Sequence, residues 1–244
     1  MSFNEVILGC SPFTLVNHFG HRSRLYELDF QNKPENILQI INKSNELNVK
    51  SMMLKNNADL VKALSMSVDE GYDWSIYGYT NTDNFYDDME LFSNFNTKSV
   101  IIDGLYVDDK IKNDVIDDLK TYLDEIKSHG YDVGIETRQP FKNIPLISNS
   151  SIIDFFDDLL IPFNFYGYMM DCNFFNKENR QVFEEIISTM DKKVIANRTL
   201  ATGILKVKEA YDFIKNVDYI DSVCVGVAKI SEADETFSYI NNCL

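Results

Sequence analysis

Histidine is scarce in this sequence, basic charge is in deficit, and several motifs that announce a chemistry are missing. The chain has three histidines and no H-x-H or H-E-x-x-H, so it offers no histidine-rich zinc site. Its four cysteines, Cys10, Cys172, Cys224 and Cys243, are scattered without C-x-x-C spacing. That pattern reads as reduced structural thiols in a cytoplasmic protein. No G-x-S-x-G elbow is present, and no G-x-G-x-x-G follows the first apolar run, which argues against an open dinucleotide-binding sheet. No apolar run approaches the roughly 18 residues of a membrane span. Residues 1–20 lack the basic start and apolar core of a secretory signal. With 23 Lys and Arg against 38 Asp and Glu, the net charge of -15 repels nucleic-acid phosphates and anionic lipid. A small-molecule ligand is the expected partner; the sequence assigns no oligomeric state.

What is present is alternation. Short apolar runs at Val6–Cys10, Ser51–Leu54, Trp74–Tyr79, Val100–Ile102, Val133–Ile135, Leu159–Phe163, Val194–Ala196 and Val223–Val227 are separated by longer segments. Runs this short that are apolar on both faces suit parallel strands covered on both sides. Helical spacing is clearest in Pro34–Leu47, Asp109–His129, Asn176–Met190, Lys206–Val217 and Ser231–Ile240, with weaker patterns at Thr82–Asn96 and Asn149–Asp157. Eight such units within 244 residues predict one α/β domain over 1–244, a closed (β/α)₈ TIM barrel with a long first βα loop.

Such barrels place their chemistry at strand C-termini and in the loops that follow. The first loop carries His18, His21, Arg22 and Arg24 within seven residues, either as a lid over an anionic substrate or as a solvated basic loop. His129, beside Gly130, reads only as a helix C-cap. Glu136, at the end of the fifth run, is the leading acid or base, because partial desolvation raises a carboxyl pKa. Asp103 stands at equivalent height one strand away, so Glu136, Asp103 and His21 form the candidate catalytic set. The alternative for Glu136 is a buried ion pair with Arg138 or Arg198. Lys55, Arg138, Asn164 and Arg198 complete the expected substrate-binding set. Lys55 is a charge-stabilising or Schiff-base candidate, though neighbouring Asn56 and Asn57 do not suggest a desolvated amine. Asp103 and Glu136 are oxygen ligands of the kind Mg²⁺ takes, but nothing else in the sequence points to a metal.

The loops after the seventh and eighth runs contain Gly203, Gly226 and Lys229, a combination that suits close approach of a phosphate. Glu232 and Asp234 in the next turn weigh against a strongly anionic ligand there. The C-terminal third, Lys193-Val-Ile-Ala-Asn-Arg-Thr-Leu-Ala-Thr-Gly203 and Val223-Cys-Val-Gly-Val-Ala-Lys-Ile-Ser-Glu-Ala233, resembles the end of aldo-keto reductases. The resemblance implies a barrel with an NADP or phosphate site near Gly203, Gly226 and Lys229. That family's catalytic Asp, Tyr, Lys and His are not matched as a set: Lys55 and Tyr79 stand near strand ends, but no Asp follows Leu54 and no His follows strand four. The front segments Gly9-Cys-Ser-Pro-Phe13 and Phe19-Gly-His-Arg-Ser-Arg-Leu-Tyr26 look more like uncharacterised prokaryotic barrels.

Three readings follow: acid-base chemistry on a small anionic metabolite, an NADP-linked reductase with altered catalytic residues, and a non-catalytic binding barrel. A pocket joining Glu136 to the first loop favours the first. A groove reaching Gly226 and Lys229 favours the second, and a mouth plugged by Phe163, Phe165 and Tyr166 favours the third. Tight NADP binding is not expected, because Glu232 stands where a 2′-phosphate calls for basic residues.

Overall fold

Apolar strands with no polar face must be covered on both sides, and in this chain they close on themselves. The computed structural model describes residues 3–15 and 20–243. Eight parallel strands, β1 (Glu5–Leu8), β2 (Ser51–Leu54), β3 (Ser75–Thr80), β4 (Thr97–Ile102), β5 (Asp132–Glu136), β6 (Asp158–Pro162), β7 (Lys193–Asn197) and β8 (Ser222–Val225), form a closed barrel in sequence order. The ring is completed by β1 against β8, with Glu5 opposite Ser222 and Leu8 opposite Val225.

Around it lie α1 (His21–Phe30), α2 (Pro34–Glu46), α3 (Ala58–Asp69), α4 (Phe85–Ser93), α5 (Gly104–Lys112), α6 (Lys120–Ser128), α7 (Pro140–Ser148), α8 (Lys177–Ile187), α9 (Val207–Ile214) and α10 (Ile230–Cys243). Ile37 and Ile41 of α2, Leu64 of α3, Phe92 of α4, Ile126 of α6, Phe183 of α8 and Phe237 of α10 are buried as the apolar stripes require. Among the described residues no helix is long and apolar enough to cross a membrane.

Four expectations need correction. The first βα segment is not a plain loop: α1 occupies much of it and has no apolar stripe to reveal it, with Leu25 and Leu28 both exposed. The helix expected over Asp109–His129 is broken in two at Asn113-Asp114, where Asp114 takes a left-handed conformation (φ 57°) that Asp tolerates better than most residues. The helix expected at Asn149–Asp157 lies earlier, at Pro140–Ser148, with Pro140 pre-set for the first turn. The last helix, expected over Ser231–Ile240, starts one residue earlier, at Ile230, and runs on to Cys243. His129 does stand at the C-terminus of α6, its Nδ1 2.9 Å from the Glu125 carbonyl, and Gly130 follows with φ 81°.

Candidate active site at the barrel mouth

Strand periodicity sends alternate residues into the barrel, and two tyrosines on β3 show where that leads. The hydroxyl of Tyr77 meets Glu5 near the N-terminal end of the strands, whereas that of Tyr79 donates to Glu136 Oε2 near the C-terminal end. Glu136 is buried and surrounded by donors. The Gly104 N–H donates to Oε2 (3.0 Å) and Asn197 Nδ2 to Oε1 (3.0 Å). Arg138 Nε lies 3.8 Å from Oε2, and Arg198 Nη2 lies 3.8 Å from Oε1. Gly104 is needed here, since a Cβ on it would fall 2.9 Å from the Glu136 carboxylate.

Asp103 is equally committed. It caps α5 by accepting the Leu105 N–H (2.6 Å), and it accepts from Arg138 Nη2 at 3.2 and 3.4 Å. Behind Arg138, Asp108 accepts from its backbone N–H (3.1 Å), from Thr137 Oγ1 (2.6 Å) and from Asn143 Nδ2 (2.8 Å). Burial pushes the Asp108 carboxyl above the ordinary range in spite of these donors. Burial, with Glu136 and Asp103 alongside, holds the Tyr79 hydroxyl far above its usual value, so it stays a donor. Burial opposes the Arg138 cation, but Glu136, Tyr79 and Asp103 outweigh it. For Arg198, burial wins and its pKa is lowered.

These groups line one cavity of about 420 Å³. Its inner part is walled by Cys10, Met53, Lys55, Tyr79, Asp103, Glu136, Arg138 and Arg198. Its outer part runs between α1, the loops after β7 and β8, and α10, past Arg22, Gly203, Lys206, Gly226, Glu232 and Glu235. Burial pushes the Cys10 thiol up to about 12, which removes it as a nucleophile. Arg22 bridges the outer part: Nη1 donates to the Thr202 carbonyl (3.1 Å), and a Cβ on Gly203 would fall 2.6 Å from that nitrogen. The turn it grips is left-handed over Ala201, Thr202 and Gly203 (φ 47°, 56° and 83°). At α10, the Ala228 N–H donates to Glu232 (2.8 Å), so a carboxylate already occupies that donor.

The cavity thus brings together Glu136, Asp103, Lys55, Arg138, Arg198, Arg22, Gly203 and Gly226. It does not include three others expected there. Arg24 points to solvent and pairs with Glu27 (2.6 Å), one turn along its own helix. Asn164 is buried outside the cavity, where its side chain ties Tyr168 N–H and C=O and the Arg198 carbonyl. Lys229 is exposed beyond the cavity wall. His18 and the side chain of His21 lie outside the described residues. Phe163 does not plug the mouth; it packs with Phe174, Phe183 and Phe213, away from the cavity. Asp108 went unrecognised in the sequence; Asn197 is picked out there only by its place at the end of strand seven beside Arg198, with no role attached. Among the described residues no group of three or more His, Cys, Asp or Glu is arranged to hold a metal.

No protein-family model matches this sequence, and no curated protein matches it. Solved structures do. A candidate aldo-keto reductase from Pseudomonas aeruginosa aligns with a TM-score of 0.66 at 10% identity over 99% of this chain and 91% of its own. The aldose reductase of Giardia lamblia gives 0.63 at 9%, covering 100% and 88%. An aldo/keto reductase from Klebsiella pneumoniae, solved with NADP and acetate, gives 0.61 at 7%, covering 97% and 85%. At these identities the likeness is one of fold. The chain shares its (β/α)₈ barrel with aldo-keto reductases along its whole length.

Proposed function

We propose that this barrel is an enzyme of small-molecule metabolism that takes an anionic substrate at the C-terminal mouth. One observation carries the reading. The inner cavity of a chain with net charge -15 holds three cations, Lys55, Arg138 and Arg198, against two carboxylates, Glu136 and Asp103. Both carboxylates are spent on internal donors, so their role is to hold the guanidinium groups in place. In this reading Arg138 and Arg198 bind the anion, and Lys55 is the group left to exchange a proton with it. Calorimetric titration with oxalate and with its neutral diamide, oxamide, tests this. Oxalate is expected to bind at least about tenfold tighter, on the order of 1.4 kcal/mol; equal affinities would overturn the reading.

The outer extension past Gly203 and Gly226 favours a second reading, a nicotinamide-linked reductase like the proteins that share this fold. The donor set does not fit that cofactor. Glu232 already takes the Ala228 N–H, Glu235 lies on the same wall, and Lys229 is outside. Of the cations on that wall, Arg22 is already bound to the Thr202 carbonyl, so a phosphate would meet Lys206 against two carboxylates. NADPH fluorescence titration is expected to show no low-micromolar binding.

A further inference from the structure

Lys55 follows β2 and is half-buried in the cavity, its Nζ 5.8 Å from the centroid of the Tyr79 ring. Among the described residues it forms neither a hydrogen bond nor an ion pair. The asparagines after it, which in sequence suggest a wet and polar setting, face elsewhere. Asn56 Nδ2 donates to Asp88 Oδ1 (3.0 Å), and Asn57 caps α3 by accepting the Leu60 N–H (3.1 Å). What shares the cavity wall with the amine is Cys10 and Met53, both nearly inaccessible, the tyrosine ring, and Glu136 and Asp103, two carboxylates already taken up by Arg138 and other donors. Two further cations, Arg138 and Arg198, line the same cavity. An amine that is partly walled by apolar side chains, has cationic neighbours and has no partner of its own is placed to act as a nucleophile toward carbonyl carbon.

We propose that Lys55 forms an imine with an oxo acid whose carboxylate is held by Arg138 and Arg198. The step rests on the anion-binding reading above and adds a covalent bond to it. The amine nitrogen attacks the carbonyl carbon, the C–N bond forms, and the carbonyl oxygen leaves as water. In total an ammonium and a ketone give a protonated imine and one water, with no change of oxidation state.

Trapping tests it. The protein is incubated with pyruvate and cyanoborohydride, which reduces an imine to a stable secondary amine, and the adduct is mapped by peptide mass spectrometry. The expected result is labelling of Lys55 at least about tenfold faster than of any other lysine, as its setting requires. The label is expected to be lost in K55R and kept in K62M, a change on the exposed side of α3 outside the cavity. Acetone, which has the carbonyl but not the charge, is expected to label Lys55 at least about tenfold more slowly. The peptide map of the unaltered chain stands even if K55R misfolds. Labelling spread evenly over surface lysines overturns the proposal. Oxalate binding with no adduct at Lys55 overturns the imine and leaves the anion reading standing. Equal labelling by acetone and pyruvate overturns the oxo-acid assignment and counts against the anion reading itself.

Discussion

The two ends of the barrel are built from nearly the same side chains to opposite effect. At the N-terminal end Glu5 receives Lys98 (2.6 Å), the hydroxyls of Tyr77 and Ser51, and Lys193 (3.8 Å). Asp158 receives Ser99 (2.7 Å) and Lys193 (3.6 Å), and Lys193 also reaches the Tyr77 hydroxyl (3.0 Å). At the C-terminal end Glu136 and Asp103 meet Arg138, Arg198 and Tyr79. Each end therefore has two carboxylates, cations and a tyrosine from β3. The lower network is closed, and its end of the barrel leaves only the neutral Ser222 hydroxyl buried without a partner among the described residues. The upper one faces a cavity and, among the described residues, leaves Arg138 Nε, Asn197 Oδ1 and the Lys55 amine without hydrogen bonds. A satisfied polar network stabilises a core, whereas the unpaired, partly accessible Lys55 amine beside a cavity is capacity for a ligand.

Breaking the lower network is expected to have the largest effect on stability. K193M removes the cation shared by Glu5 and Asp158 and leaves two carboxylates with fewer partners. Unfolding in urea should show a loss of about 3 kcal/mol, the low end for breaking a buried pair, while oxalate affinity stays within about twofold. A loss of binding with little loss of stability would erase the distinction between the ends.

The next test asks which matters more to the anion, the charge of Glu136 or its grip on the arginines. E136Q keeps an acceptor for Asn197 but removes a charge near the anion. At about 5 Å and an effective dielectric near 20, that charge repels the ligand by about 3 kcal/mol. A weakened hydrogen bond costs only about 1 kcal/mol. Oxalate is therefore expected to bind E136Q more tightly than the unaltered chain, and calorimetry showing weaker binding would mean that orientation outweighs charge.

The smallest expected effect is a near-silence. Cys10 lines the cavity but is buried, with its thiol held up to about 12, so little thiolate exists at pH 8. Iodoacetamide at that pH is expected to leave Cys10 unmodified in the folded chain and to alkylate it once urea is added. Rapid labelling of the folded chain would show the inner cavity to be wetter than its walls imply.

Much of this architecture is legible in the sequence, because strand length and β-branched composition report parallel strands, and all eight runs overlap observed strands. Boundaries set by single backbone conformations are not: nothing in the apolar periodicity of Asp109–His129 reveals that Asp114 turns left-handed. Helix α1 escaped for the opposite reason, having no buried stripe to read. At the mouth, the strand-end rule finds Lys55, Asp103, Glu136, Arg138 and Arg198, because height along a strand follows from register. Whether a carboxylate is free or spent depends on partners far apart in the chain, such as Asn197 and Gly104 around Glu136, and spacing along the chain carries none of that. Arg24 and Arg22 are two residues apart, and only the turn of α1 decides that one meets Glu27 and the other Thr202.

The claim that the mouth is a binding site and not a second structural network is tested most directly by R198M. Calorimetric titration of that variant with oxalate, beside the unaltered chain, is the decisive measurement. Loss of the guanidinium is predicted to weaken oxalate by at least about tenfold, on the order of 1.4 kcal/mol, in a protein that still unfolds cooperatively. Unchanged affinity in a folded R198M would contradict the account.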